Sequence, residues 1–233
     1  MKRNINRVLV PVVISLLLIG CGDDNNSVSS SSDSATYTLT FKSDWSAANF
    51  PTNYPAGVAH FSPLIGMTHN SSASLFTSGS LATSGVEIVA ETGGTDTIKT
   101  EIGDIQNLGN SQSLIEGSGL PFGQTETSVS FTLDKSFSLV SVITMIAPSP
   151  DWFIGVDSLD LFESGSWKDE VVVQLKVYDS GTDDGTVFTS ANADSSPKQN
   201  IALLTSNSAD TDFEDGIHRS TSMHIGTFTF TRQ

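Results

Sequence analysis

One cysteine, Cys21, stands in the whole 233-residue chain. No disulfide can therefore close within it, and any exported domain it encodes must be held by its core or by a metal. Basic side chains are scarce as well: 11 Lys and Arg face 26 Asp and Glu, and no stretch gathers the basic ones into a stripe. A surface of that sign repels nucleic acid and anionic lipid and attracts cations or basic partners, which excludes nucleic-acid binding. The apolar run near the N-terminus, Val8 to Ile19, is too short to cross a bilayer comfortably. No HExxH or His-x-His spacing is present, so zinc chemistry has no scaffold, and no Gly-x-Ser-x-Gly turn exists to present a serine nucleophile. No segment recurs at a fixed period. With charge this sparse (16%) and Ser, Thr, Gly and Asn abundant, what is there favours strands and turns over long helices.

The N-terminus carries a signal of its own. Lys2, Arg3 and Arg7 form a positive segment ahead of the apolar run, the pattern of an export signal. The run ends in Leu18-Ile19-Gly20-Cys21, which resembles a bacterial lipobox. That resemblance implies a signal peptide over residues 1–20, cleavage before Cys21, and lipidation of Cys21, which then holds the chain to a membrane. The competing reading is a buried cysteine at the end of a membrane helix; the polar residues that follow at once speak against it. Gly22 rather than Asp after the cysteine removes the usual inner-membrane retention signal, so the expected place is the bacterial cell envelope, anchored at the outer membrane and facing either the periplasm or the outside. Lys2, Arg3 and Arg7 leave with the signal peptide, so 8 basic side chains remain against 26 acidic ones.

Residues 21–36 read as the lipidated cysteine and a Ser-rich flexible tether, too polar to order itself. From Tyr37 the pattern turns to alternation. Tyr37, Leu39 and Phe41 share a face, as do Val129, Phe131 and Leu133, then Val171, Val173, Leu175 and Val177, and finally Phe228 with Phe230. Leu139 to Ala147 is almost continuously apolar, the mark of a central strand buried on both sides. Gly, Pro, Asn and Asp clusters separate these runs. Leu81 to Ala90 reads as a short helix. The fold class is all-β: an antiparallel sandwich of six to nine strands over residues 37–233, with one or two short helices in the connections.

Several segments resemble the spondin N-terminal domain family, as found in F-spondin, mindin and bacterial exported proteins. They are Phe41-Lys42-Ser43-Asp44-Trp45-Ser46, His60-Phe61-Ser62-Pro63-Leu64-Ile65-Gly66, Ala82-Thr83-Ser84-Gly85-Val86 leading to Ala90-Glu91, and Ser138-Leu139-Val140-Ser141. More specific are Ala147-Pro148-Ser149-Pro150-Asp151-Trp152-Phe153-Ile154-Gly155-Val156 and Tyr178-Asp179-Ser180-Gly181-Thr182-Asp183-Asp184-Gly185. The resemblance implies a β-sandwich like that of C2 domains, calcium bound in the loops at one end, and a role in adhesion or ligand binding. Carried over by position, the calcium carboxylates fall on Asp151, Asp179 and Asp183. Ser180 replaces the small alanine usual after Asp179, a mild change; the cysteines of animal members and the thrombospondin-type repeats that follow in many of them are absent here.

On physical grounds calcium takes six to eight hard oxygen ligands. Asp151 follows two prolines that stiffen its loop, and Asp179 and Asp183 flank a turn opened by Gly181 and Gly185. Asp134, Asp157, Asp184 and backbone carbonyls are further candidates. The loop is no EF-hand, because Gly181 occupies its third position and Ser190 its twelfth. Without the family resemblance, solvated aspartates in turns account for the same residues.

The remaining residues have plainer readings. His60, His69, His218 and His224 are read as hydrogen-bonded structural histidines, and Glu87 with Glu91 as a solvated helix face. Trp45, Trp152 and Trp167 fit a sandwich core better than a contact platform for a protein or glycan ligand. The leading functional reading is a non-enzymatic binding module; an envelope hydrolase with a structural calcium and a purely structural lipoprotein are the alternatives.

Overall fold

The computed structural model describes residues 32–51, 53–204 and 224–233. The signal segment, Cys21, most of the Ser-rich tether and His218 lie outside the described residues. Alternation builds the first layer. In β1 (Ser34–Ser43), Tyr37, Leu39 and Phe41 are fully buried while the residues between them are not. β1 begins three residues before Tyr37, inside the segment expected to be tether, because Ala35 continues the same inward face and packs against the core. It pairs antiparallel with β5 (Glu126–Asp134) on one side and β13 (Gly226–Arg232) on the other; β10 (Glu170–Leu175) completes a four-stranded sheet in the order β10-β13-β1-β5.

The second layer is a larger antiparallel sheet. Its order is β12 (Ala202–Leu203), β11 (Val177–Asp179), β7 (Trp152–Asp160), β6 (Leu139–Ala147), β3 (Ile65–His69) and β4 (Ser111–Glu116), with β2 (His60–Phe61) paired to the end of β6. A small hairpin of β8 (Phe162–Glu163) and β9 (Ser166–Trp167) stands apart. The Val171–Val177 face predicted as one strand is divided. Residues up to Leu175 pair with β13 in the first sheet, and from Val177 the chain pairs with β7 in the second.

The two sheets close on one another as the all-β sandwich expected. Their shared core contains Tyr37, Leu39 and Phe41 from β1, Val140, Val142 and Ile146 from β6, Trp152, Ile154 and Val156 from β7, and Phe228 and Phe230 from β13. β6 is central and buried along nearly its whole length, as its composition predicts. The outward side chain Ile143 joins a second core with Ile65, Met67 and Phe153, roofed by α1 (Ser84–Thr92) and α2 (Asp96–Asn107) through Val86, Val89, Ile98 and Ile102. A strand covered on both faces has no solvent side to keep polar. Gly66 in β3 permits the tight pairing there, since a Cβ on it would lie 2.0 Å from Ser141 O of β6.

α1 starts at Ser84 rather than at Leu81 because Thr83 caps it: Val86 N donates to Thr83 Oγ1 at 3.2 Å. It runs on to Thr92, where Gly93 takes a left-handed conformation. α2 was not foreseen. Only Ile98, Ile102 and the partly buried Ile105 mark its inner face, and its first turn has no side-chain cap. Its Glu101 accepts from Thr83 Oγ1 at 2.7 Å and from Gly85 N at 2.7 Å, so α2 fixes the start of α1.

The polar interior confirms two of the plainer expectations. His69 is fully buried, with Nδ1 2.8 Å from Asn70 O and Nε2 2.7 Å from Ser141 Oγ. His224 Nε2 lies 3.2 Å from Asp44, and the exposed His60 bonds Val58 O through Nδ1. Trp45, Trp152 and Trp167 are all buried.

Tyr37 gives a pH signature for the sandwich. Its hydroxyl donates to Lys168 O, and burial pushes the phenol up to about 12, against the pull of Arg232. The folded state holds this proton more tightly than the unfolded chain, whose phenol has a pKa of about 10. The stabilisation is therefore complete below about pH 10 and lost as pH rises through about 12. Denaturant titrations across that window should show falling stability, and Tyr37→Phe should flatten the fall. An identical slope in the variant would remove Tyr37 from the account.

Candidate metal centre

β6 delivers the chain to one end of the sandwich at Ala147, and Pro148-Ser149-Pro150 turns it back into β7. Ser149 closes this turn, its Oγ donating to Ile146 O at 2.6 Å and accepting from Trp152 N at 3.1 Å. Asp151 is held there with no solvent exposure. β11 arrives beside it through the pairing of Asp179 with Trp152, and the loop after β11 wraps the Asp151 carboxylate. Oδ2 of Asp151 accepts from Thr182 N at 2.8 Å, Ser180 Oγ at 3.0 Å and Asp183 N at 3.2 Å. Oδ1 is buried and has no hydrogen-bond partner among the described residues. The result is one saturated and one orphaned oxygen on the same buried carboxylate. Such a group is costly unless an ion, a water or a proton meets it.

Asp179 and Asp183 each fold onto their own loop. Asp179 Oδ1 accepts from Gly181 N and Asp183 Oδ1 from Gly185 N, both at 2.7 Å, the two-residues-on bond characteristic of aspartate in turns. Gly181 has φ +74°, and a Cβ there would meet Gln199 O at 2.4 Å, so this loop needs glycine. Asp183 Oδ2 also accepts from Ala193 N at 2.7 Å. Both carboxylates line a polar cavity of about 160 Å³, shared with Asp184, Thr186 and Gln199.

The three predicted residues therefore meet at one end of the sandwich. Asp151 bonds the Thr182–Asp183 backbone, and Asp179 and Asp183 share a cavity. Among the described residues, no set of three or more His, Cys, Asp or Glu side chains converges, as they stand, into a ready metal cage. Of the further candidates, Asp184 lines the cavity, while Asp134 and Asp157 lie elsewhere. Asp134 pairs with Ser34 at the opposite end, and Asp157 accepts from Leu75 N and Ser141 Oγ on the helix-covered face.

Electrostatics mark the same spot. Burial pushes the Asp151 carboxyl above its ordinary range; the Thr182, Asp183 and Ser180 donors oppose this, and the Asp183 charge adds to it. Glu91 of α1 is also held high, first by burial and then by Glu87, Asp194 and Asp151, with a Thr182 hydrogen bond opposing. The solvated helix face expected for Glu87 and Glu91 is thus overturned. Glu87 pairs with Lys198 of the acidic loop, and Oε1 of Glu91 is buried. The helical period of residues 81–90 was legible, but the loop that covers this end of α1 was not. Ser180 is likewise more than a mild change from alanine, since its buried hydroxyl supplies one of the three short bonds to Asp151.

Calcium fits this chemistry. The donors are hard oxygens, their charges repel without a counter-ion, and one buried carboxylate oxygen has no hydrogen-bond partner among the described residues. Asp151, Asp179 and Asp183 are the residues that would hold it.

Comparison with known proteins agrees with the segments that carry the resemblance. The Spondin_N family model matches residues 35–224. Spondin-2 of Rattus norvegicus is 36% identical over 177 residues, covering 75% of this chain and 54% of the relative. Spondin-2 of Homo sapiens is 34% identical over the same coverage. Spondin-1 of Homo sapiens is 34% identical over 179 residues, 74% of this chain and 22% of that protein. The chain thus spans about half the length of spondin-2 and about a fifth of spondin-1. With its Pro-Ser-Pro-Asp-Trp turn, its aspartate loop and all of its sandwich but the last strand inside the matched region, this chain belongs to the spondin N-terminal domain family.

Proposed function

We propose that the chain is a non-catalytic adhesion or ligand-binding module of the bacterial cell envelope, anchored by a lipid at Cys21, whose acidic end loops hold a calcium ion. The observation that carries this reading is the orphaned, fully buried Oδ1 of Asp151 beside the cavity of Asp179 and Asp183. A protein that buries a carboxylate this way gains when a cation arrives, because the ion supplies the missing partner and cancels the repulsion. The ion's part is to draw the turn after β6 and the loop after β11 into one rigid end, which fixes a surface for a protein or glycan ligand.

The placement of the loops supports a role in binding. β1 enters at the end where Ser34 pairs with Asp134, and β6 reaches the acidic loops only at its far end, Ala147. β7 spans about 26 Å between these ends at about 3.3 Å per residue. At the acidic end β2 pairs with Ala147, and beside it Val58 and Phe122 stay more than half exposed around a largely apolar cavity.

Thermal unfolding of the whole chain in calcium and in chelator tests the reading. At 100 times the dissociation constant, calcium should add about 2.7 kcal/mol. At about 2–4 °C per kcal/mol for a domain of this size, the melting temperature should rise by about 5–10 °C. Equal melting temperatures in millimolar calcium and in chelator would reject the calcium site.

A further inference from the structure

Val58 and Phe122 are 56% and 51% exposed, and they face one cavity although they are distant in sequence. Val58 belongs to the loop before β2, and Phe122 to the loop between β4 and β5. Phe61 of β2 draws these loops together by exchanging two backbone hydrogen bonds with Leu120, both of 3.0 Å. Their approach needs Gly119, where a Cβ would lie 2.8 Å from Phe61 O. Val58, Phe61, Pro121 and Phe122 thereby wall an open cavity of about 570 Å³, within the size range of ligand pockets. Contiguous exposed apolar surface of this kind marks a site of interaction.

One titratable side chain, His60, is set into this lining. Its Nδ1 lies 2.7 Å from Val58 O, and a carbonyl can only accept, so Nδ1 carries hydrogen. In the neutral ring Nε2 is then an acceptor, with no hydrogen bond to it among the described residues. The charge around the cavity has one sign. Residues 43–134 supply all of its walls and carry nine acidic side chains against one basic, Lys99, which is paired with Glu116. The Phe61 ring lies 5.6 Å from Trp45, and Trp45 lies 5.5 Å from Phe188 of the aspartate loop, so the cavity adjoins the acidic end. An apolar ring fills such a cavity, a donor on the ring meets His60, and cationic neighbours meet the acidic surface. Tryptophan between Lys or Arg residues brings all three, and Trp, Tyr and Arg dominate interface hot spots.

We propose that this cavity receives an aromatic side chain bearing an N–H or O–H donor, tryptophan before tyrosine, carried on a basic segment of a partner protein. This rests on the binding-module reading above and names the class of its partner. A neutral glycan brings no positive charge and little apolar surface, so it suits neither the walls nor the charge around them.

Titration of the whole chain in calcium with blocked tripeptides, followed through backbone amide signals by NMR, tests this. Acetyl-Arg-Trp-Arg-amide should saturate and move the signals of Val58, His60, Gly119 and Phe122. Acetyl-Arg-Ala-Arg-amide should bind about tenfold more weakly, the loss expected for a hot-spot side chain. Acetyl-Glu-Trp-Glu-amide should bind about fivefold more weakly at low salt, and added salt should close the gap. Phe122→Ser and Val58→Ser should each weaken the Arg-Trp-Arg peptide by about tenfold. Val172→Ser, at an exposed valine of β10, should leave its binding unchanged. All three positions are more than half exposed, so the variants should melt with the unaltered chain.

Absence of saturable binding, or equal binding of the alanine peptide, overturns the proposal. So does a tryptophan peptide that binds both serine variants of the cavity as tightly as the unaltered chain. Equal binding of the glutamate peptide at low salt overturns the basic partner. Maltose moving the same signals while the peptides do not makes the occupant a glycan, and Phe122→Ser turning a dimer into a monomer makes it a second copy; either overturns the proposal. The calcium reading stands or falls separately, on melting in calcium and in chelator.

Discussion

Asp151→Asn is expected to abolish the calcium-dependent rise in melting temperature while leaving stability in chelator unchanged or slightly higher. The asymmetry follows from the two oxygens of Asp151. Oδ2 accepts from Thr182 N, Asp183 N and Ser180 Oγ, and the asparagine carbonyl accepts from the same three donors. Oδ1 has no hydrogen-bond partner among the described residues and becomes an amide nitrogen, which cannot ligate a metal. The loops thus keep their shape and lose their anionic ligand. In chelator the variant also escapes the cost of burying a charge beside Asp183, the combination that holds the Asp151 carboxyl high. With calcium at 100 times the dissociation constant, the expected loss is the whole linkage term of about 2.7 kcal/mol. Melting scans of both proteins in calcium and in chelator give the four numbers needed. A variant that keeps the full calcium shift would remove Asp151 from the site.

Trp152→Ala should cost about 3–5 kcal/mol, the usual range for emptying a buried aromatic site. Trp152 is 1% exposed, and its ring stacks edge-on against Phe188 at 5.6 Å. Phe188 belongs to the acidic loop and continues to Trp45 at 5.5 Å, and Trp45 to Phe61 at 5.6 Å. This chain of rings pins the loop after β11 onto the sandwich. Measured against a total stability of about 5–15 kcal/mol for a domain, the loss is severe. Urea titration should show a lower midpoint with a similar slope, and the calcium shift should shrink because the loop loses its anchor. A cost below about 1 kcal/mol would mean that the loop is held by something other than these rings.

Much of the fold could be read from the chain because its strands obey a simple rule. Tyr37, Leu39 and Phe41 alternate because one face of β1 meets the core and the other does not. Leu139 to Ala147 lacks alternation because α1 and α2 cover the face that would otherwise be wet. The same roof was harder to foresee. α2 shows only three isoleucines at helical spacing among polar residues, too weak a stripe to stand out. The crossing from one sheet to the other near Lys176 was hidden because Val171, Val173, Leu175 and Val177 keep a single alternation across both pairings.

The site was legible through its aspartates and opaque through everything that surrounds them. Asp151, Asp179 and Asp183 come from a specific family resemblance, and the structure brings their loops to one end. Ser180 and Thr182 carry no such signal. A serine and a threonine in a turn are ordinary residues until the turn closes around a buried carboxylate. Asp134 and Asp157 show the converse, since acidic residues near strand ends look alike in sequence whichever end they occupy. Asp157 is consumed by Leu75 N, Ser141 Oγ and Ser158 Oγ, a structural duty that spacing alone could not reveal.

The central claim is that Asp151, Asp179 and Asp183 share one calcium ion at the tip of the sandwich. Crystals grown in calcium, with anomalous scattering used to locate the ion, address it most directly. The account predicts a single strong peak about 2.3–2.6 Å from Asp151 Oδ1, with oxygens of Asp179 and Asp183 in the same coordination sphere. A well-ordered tip with no peak there, or with the Asp151 Oδ1 orphan met only by a neutral water while calcium sits elsewhere, would contradict it.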